Sequence, residues 1–177
     1  MEPVNEPYRT RPVAIGLILL GVVARLVPHP WNATPVTAIA LFGGTYLSKR
    51  ASVVLPLVIV AISDFLLGWH HTMPFTWGAF VLTAMLGWWV RRRASAGRIA
   101  TAALVGSALF FVITNFGVWL PGDLYPLTWA GLWQCYVAAV PFFRATLVGD
   151  LVFTAVFFGS FALVTRARPV QSTVPSK

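Results

Sequence analysis

Residues 51–69 read ASVVLPLVIVAISDFLLGW, an apolar run with one ionic side chain, Asp64, preceded by Lys49-Arg50 and followed by His70-His71. As a helix it is about 28 Å long, close to the hydrocarbon thickness of a bilayer. A barrel strand would alternate polar and apolar residues with a period of two, and this run does not. Further apolar blocks flank it at residues 12–28, 33–48, 74–90, about 98–120 and 141–164. The chain of 177 residues is 58% hydrophobic and 10% charged, which leaves too little polar surface to clothe a water-soluble globule. The expected fold class is all-α: an integral membrane bundle of six transmembrane helices, forming one domain over residues 1–164.

The joints between blocks refine this layout. Val22-Val23-Ala24 followed by Arg25 is a poor cleavage sequence, so the first block is read as a retained span. The second block is short and carries Gly43-Gly44, which predicts a helix that is little tilted, packed by small residues or partly re-entrant. In the fourth, Ala79, Thr83 and Gly87 recur every four residues, a stripe that lets helices approach closely. Residues 128–140 are apolar but too few to cross and return, which predicts a short interfacial or re-entrant helix before the last span. Pro141 fits the first turn of that span. Residues 165–177 have no apolar pattern and are expected to form a disordered cytoplasmic tail.

Counting crossings places Arg9, Arg11, Lys49, Arg50, Arg91, Arg92, Arg93, Arg98, Arg166, Arg168 and Lys177 on one face, which the positive-inside rule makes the cytoplasm. Both termini are therefore expected inside. The formal charge of +8 is accounted for by these clusters, and membrane lipids rather than nucleic acid are the expected partners.

The remaining polar residues gather toward the opposite, outer face. Arg25, Asp64, Asn115, Arg144 and Asp150 lie within the outer parts of the apolar blocks, and His29, Trp31, Asn32, His70, His71 and Tyr125 lie in or beside the outer connections. Intramembrane charges are costly, so they pair and face the bundle interior or a wet cavity. The expected pairs are Arg25 with Asp64 and Arg144 with Asp150, with Asp150 to Arg25 as the alternative. Two readings follow: ion pairs that hold helices in register, or a ligand pocket open to the outside with Arg25, Asp64, Asn115, Arg144 and Asp150 as its polar groups and His29, Trp31, Asn32 and Tyr125 as its lid. Two arginines would suit a carboxylate or phosphate. Six of eight tryptophans also fall on the outer side, as an aromatic belt or as stacking groups for a flat ligand. A metal site from His29, His70, His71 and Asp64 has weak spacing, because adjacent histidines at a helix end diverge, and no metal or cofactor is expected. Cys135 is the only cysteine. A membrane enzyme or thiol- or metal-dependent protein using Cys135, His70, His71 and Asp64 is the rival expectation, and a structural scaffold the third. No phosphate loop, hydrolase elbow, HExxH or CxxC occurs, so energy from ATP would come from another chain.

Several runs carry a resemblance: Arg25-Leu26-Val27-Pro28-His29-Pro30-Trp31-Asn32-Ala33-Thr34-Pro35, Ala38 to Gly44, Ser63-Asp64, Thr114 to Trp119, and Cys135-Tyr136 through Pro141-Phe142-Phe143 to Gly149-Asp150. Together they resemble an uncharacterised family of small bacterial multi-pass membrane proteins labelled as candidate transport proteins. The layout is also similar to the S components of energy-coupling-factor vitamin transporters, which have six spans, inside termini and a ligand pocket at the outer face. These likenesses imply a bacterial cell (inner) membrane protein, not an enzyme, that captures a small vitamin-like or anionic nutrient, with a coupling subunit and its ATPases as partners. Span one offers Gly16, Gly21 and Ala24 in place of the alanine-x-x-x-alanine stripe with which S components dock that subunit.

Overall fold

Apolar blocks without a period of two form helices because a helix satisfies its own backbone, and every regular element of the computed structural model, which describes residues 7–27 and 34–166, is helical. The six helices are α1 (Pro7–Leu26), α2 (Val36–Tyr46), α3 (Lys49–Leu67), α4 (Met73–Arg91), α5 (Ala96–Trp119) and α6 (Trp129–Arg166). Local chemistry sets their ends. Ser48 and Ser95 cap α3 and α5, their hydroxyl oxygens accepting from the N–H groups of Ala51 at 3.2 Å and Arg98 at 3.4 Å. Pro74 sits in the first turn of α4, and Gly68, at φ 104°, ends α3 in a conformation that side chains rarely adopt.

Two expectations change. Residues 128–140 do not form a separate interfacial or re-entrant helix: from Trp129 they run without a break into α6, which is 38 residues and about 57 Å long. Pro141 lies inside it. The proline ring removes the single hydrogen bond to the Val137 carbonyl, while the ladder on both sides continues. Second, α2 has only 11 residues, about 16 Å, roughly half a hydrocarbon core. The expected tail falls mostly on residues 167–177, which lie outside the described residues.

The short α2 is the centre of the bundle. Val36 to Thr45 are all buried, and α2 packs against α3, α4, α5 and α6. Ile39, Leu41, Ile59, Val60, Phe80 and Val90 form the core around it. The small-residue stripe of α4 faces this helix: a Cβ placed on Gly87 would lie 2.5 Å from the Leu41 carbonyl oxygen and 2.6 Å from the Gly44 Cα. Backbone thus meets backbone where α2 crosses α4. Arg91, expected only as a cytoplasmic anchor, also closes the C-terminus of α2. Its guanidinium donates to the carbonyls of Gly44 (2.6 Å), Thr45 (3.1 Å) and Leu47, three of the acceptors a helix end leaves unsatisfied.

The outer surface of the bundle is apolar. Leu19, Phe65, Val112, Val148, Val152 and Val156 are exposed, and the last three are one turn apart along α6. Helices α3, α4, α5 and α6 are long and apolar enough to cross a membrane.

The Gly44–Gly87 contact predicts a position-dependent effect of one methyl group. Gly87→Ala should force the two backbones apart and cost about 1–3 kcal/mol, the usual range for overpacking. Gly78→Ala on the same helix meets nothing within 4 Å and should be neutral or stabilising by up to about 1 kcal/mol. Thermal unfolding of both variants in detergent checks this; equal midpoints would show that the helices do not touch there.

Candidate functional site

Because α2 is short, the bundle has a space beyond its N-terminus. The other helices continue past Val36, and their ends enclose a cavity of about 470 Å³. Its floor is Thr34 and Thr37; its walls include Arg25, Thr76 and Phe80, Phe110, Phe111, Thr114 and Asn115, and Phe143 and Thr146. Residues from all six helices or the segments that join them line it. Threonines and phenylalanines dominate the lining, so the walls are flat apolar rings separated by hydroxyl groups.

Arg25 stands at one side of this space, and it is held. Its Nη2 donates to Asp64 Oδ1, and its Nε donates to Ser63 Oγ at 2.6 Å. Asp64 Oδ2 accepts from Trp77 Nε1 at 2.9 Å, and His70 Nε2 lies 3.9 Å from Oδ1. One carboxylate therefore ties α1 to α3 and α4, with Asp64 side-chain exposure of 2% against 15% for Arg25. The pairing matches the first expected partner of Arg25. Its physical basis is that adjacent residues Ser63 and Asp64 occupy the buried face of α3 about one turn from its C-terminal end.

Asp150 forms a second polar centre, without an arginine. It is buried at 2% exposure, and its Oδ2 accepts from Ser107 Oγ at 2.7 Å while Thr37 supplies a further side-chain hydrogen bond. It so joins α2, α5 and α6 beneath the cavity floor. Neither expected arginine partner is present. Arg144 is exposed on α6 beside Val137, Val140, Pro141 and Ala145, in a separate surface groove, and lines no part of the cavity. Six residues at 100° each turn Arg144 well away from Asp150 on one straight helix, which rules out the contact.

Asn115 lines the cavity, its Nδ2 donating to the Phe111 carbonyl at 2.8 Å. Tyr125, expected in the lid, sits half-buried in the connection before α6 and is not among the cavity walls. His29, Trp31 and Asn32 lie outside the described residues. His71 is exposed, and His70 Nδ1 is 2.7 Å from Thr72 Oγ1. Cys135 is buried, with its thiol donating to the Asn115 carbonyl at 3.4 Å. Among the described residues no three His, Cys, Asp or Glu side chains converge to hold a metal ion. The site residues that sequence reasoning missed are uncharged: Thr37, Thr76, Ser107 and Thr146, with Phe80, Phe110 and Phe143. The spacing of Phe110-Phe111 and Phe142-Phe143 about the polar centres was the one available signal.

The Arg25–Asp64 pair makes a specific energetic prediction. Asp64→Ala leaves Arg25 without its counter-charge and should cost about 3–5 kcal/mol, whereas the double variant Arg25→Met, Asp64→Leu should recover most of that loss. Unfolding midpoints in detergent for the two singles and the double measure it. Additive losses would mean that the groups do not interact.

A family model described as a family of unknown function, DUF6580, matches residues 6–172. No curated protein and no solved structure matches the chain. The matched segment takes in all six helices and both polar centres, and the protein belongs to the DUF6580 family.

Proposed function

We propose that this protein is a multi-pass protein of the bacterial cell membrane that captures a small, vitamin-like nutrient from the outer face, in the manner of a transporter's substrate-binding component. The observation that carries this reading is the cavity of about 470 Å³ at the end of the bundle opposite the Lys49-Arg50 and Arg91-Arg92-Arg93 clusters. Positive clusters mark the cytoplasmic side, so the cavity faces outward and both termini face in. The exposed apolar surfaces of α3, α5 and α6 support burial in lipid. A volume of this size suits a single small molecule. The chain carries no nucleotide-binding motif, so concentrative uptake would draw on a separate coupling subunit with ATPases.

Of the two expected ligand classes, vitamin-like or anionic, the anionic one loses its support, because Arg144 lies on another surface and Arg25 is already paired. Filling the cavity tests the reading. Thr114→Trp places an indole in the space without touching either polar centre. A vitamin-sized compound that raises the unfolding temperature of the native protein should have no such effect on Thr114→Trp. Failure of every compound in a broad water-soluble metabolite screen, or equal stabilisation of both proteins, would defeat it.

A further inference from the structure

The charges around the cavity are already balanced by the protein. Arg25 is matched by Asp64. The N-terminus of α2, which has no side-chain cap, lies at the cavity floor, and the Asp150 carboxyl group is hydrogen-bonded to Thr37 in its first turn, where a carboxyl group is favoured by the helix dipole. Arg144 is on the outside of α6. A ligand with a net charge would enter a space walled by phenylalanine with no free counter-charge among the described residues, and it would lose its hydration without compensation.

Hydrogen-bonding capacity does remain. Thr76, Thr114 and Thr146 donate their hydroxyl protons to the carbonyls of Thr72 (3.1 Å), Phe110 (2.7 Å) and Phe142 (3.1 Å), so each keeps oxygen lone pairs for a ligand donor. Asn115 spends an amide proton on Phe111 and keeps its carbonyl oxygen. On the donor side, Arg25 uses Nε and Nη2, while Nη1 has no partner among the described residues. Phe80 and Phe110, 5.2 Å apart, and Phe111 and Phe143, 4.7 Å apart, provide the flat surfaces.

Resting on the reading of this cavity as a ligand site, we propose that its occupant is an uncharged planar ring compound whose edge carries both a hydrogen-bond acceptor and an N–H or O–H donor. The acceptor faces Arg25, the donor faces the threonine and Asn115 oxygens, and the ring lies against the phenylalanines.

Three probes of one shape separate the charge states: naphthalene-2-carboxamide (neutral), naphthalene-2-carboxylate (anion) and naphthalene-2-carboxamidinium (cation). Their affinities for the full chain in a neutral detergent, measured by ligand-observed NMR, should favour the carboxamide by about tenfold or more over both charged forms. Asp64→Asn keeps an acceptor for Trp77 but removes the charge that balances Arg25, and it should raise carboxylate affinity by about tenfold. Preference of the native protein for either charged probe would overturn the proposal while leaving the cavity as a ligand site. So would an Asp64→Asn variant that folds and leaves carboxylate affinity unchanged. If Thr114→Trp binds all three probes as the native chain does, or if none binds the native chain, the ligand-site reading itself falls.

Discussion

The length of α2 is the constraint from which the rest follows. Eleven residues cannot match neighbours of 19 to 38. A bundle built around so short a core helix is solid at one end and open at the other. The solid end is closed by very close packing, which small residues permit by letting two helix backbones meet. Gly44 against Gly87 supplies that contact, and the guanidinium of Arg91 satisfies the buried carbonyls that the truncated helix leaves behind. At the open end the same truncation sets Thr34 and Thr37 at the floor of a space that no side chain of the described residues fills.

Around that space, the ionic groups follow a common logic. A charge held in an apolar surrounding must find its compensation nearby, and here compensation comes from different helices: α1 with α3, and the start of α2 with α6. Each compensating contact is therefore also a tie across the bundle. Asp64 adds the Trp77 indole of α4, and Asp150 adds Ser107 of α5, so that two carboxyl groups reach all six helices. Structural pinning and a balanced site are two consequences of the same pairs.

What could be read from the sequence was what depends on local pattern. Block lengths gave the helical class, and the glycine and alanine spacing in α4 gave its packing face. Asp64 and Arg25 could be paired because each sits near the outer end of its own block. Depth along a helix is legible in this way; direction around the axis between distant helices is not. Arg144 and Asp150 share a depth range but diverge on α6, and the partners of Asp150 are a serine and a threonine that have many equivalents in an apolar chain. The continuity of α6 was hidden for another reason: Pro141 reads as a helix start, and nothing local distinguishes a start from a tolerated interior proline.

That continuity has a mechanical consequence. Trp129 and Trp133, one turn apart and both exposed, sit at the N-terminal tip of α6, while Phe143 and Thr146 on the same helix form cavity wall and Asp150 lies beneath the floor. A continuous helix couples displacement at one end to positions farther along its axis. In the proposed membrane setting, the level at which the two indoles seat in the bilayer interface would set the height of the chamber's side wall and of the carboxyl group beneath it, and bilayer thickness would become a geometric input to the dimensions of the chamber.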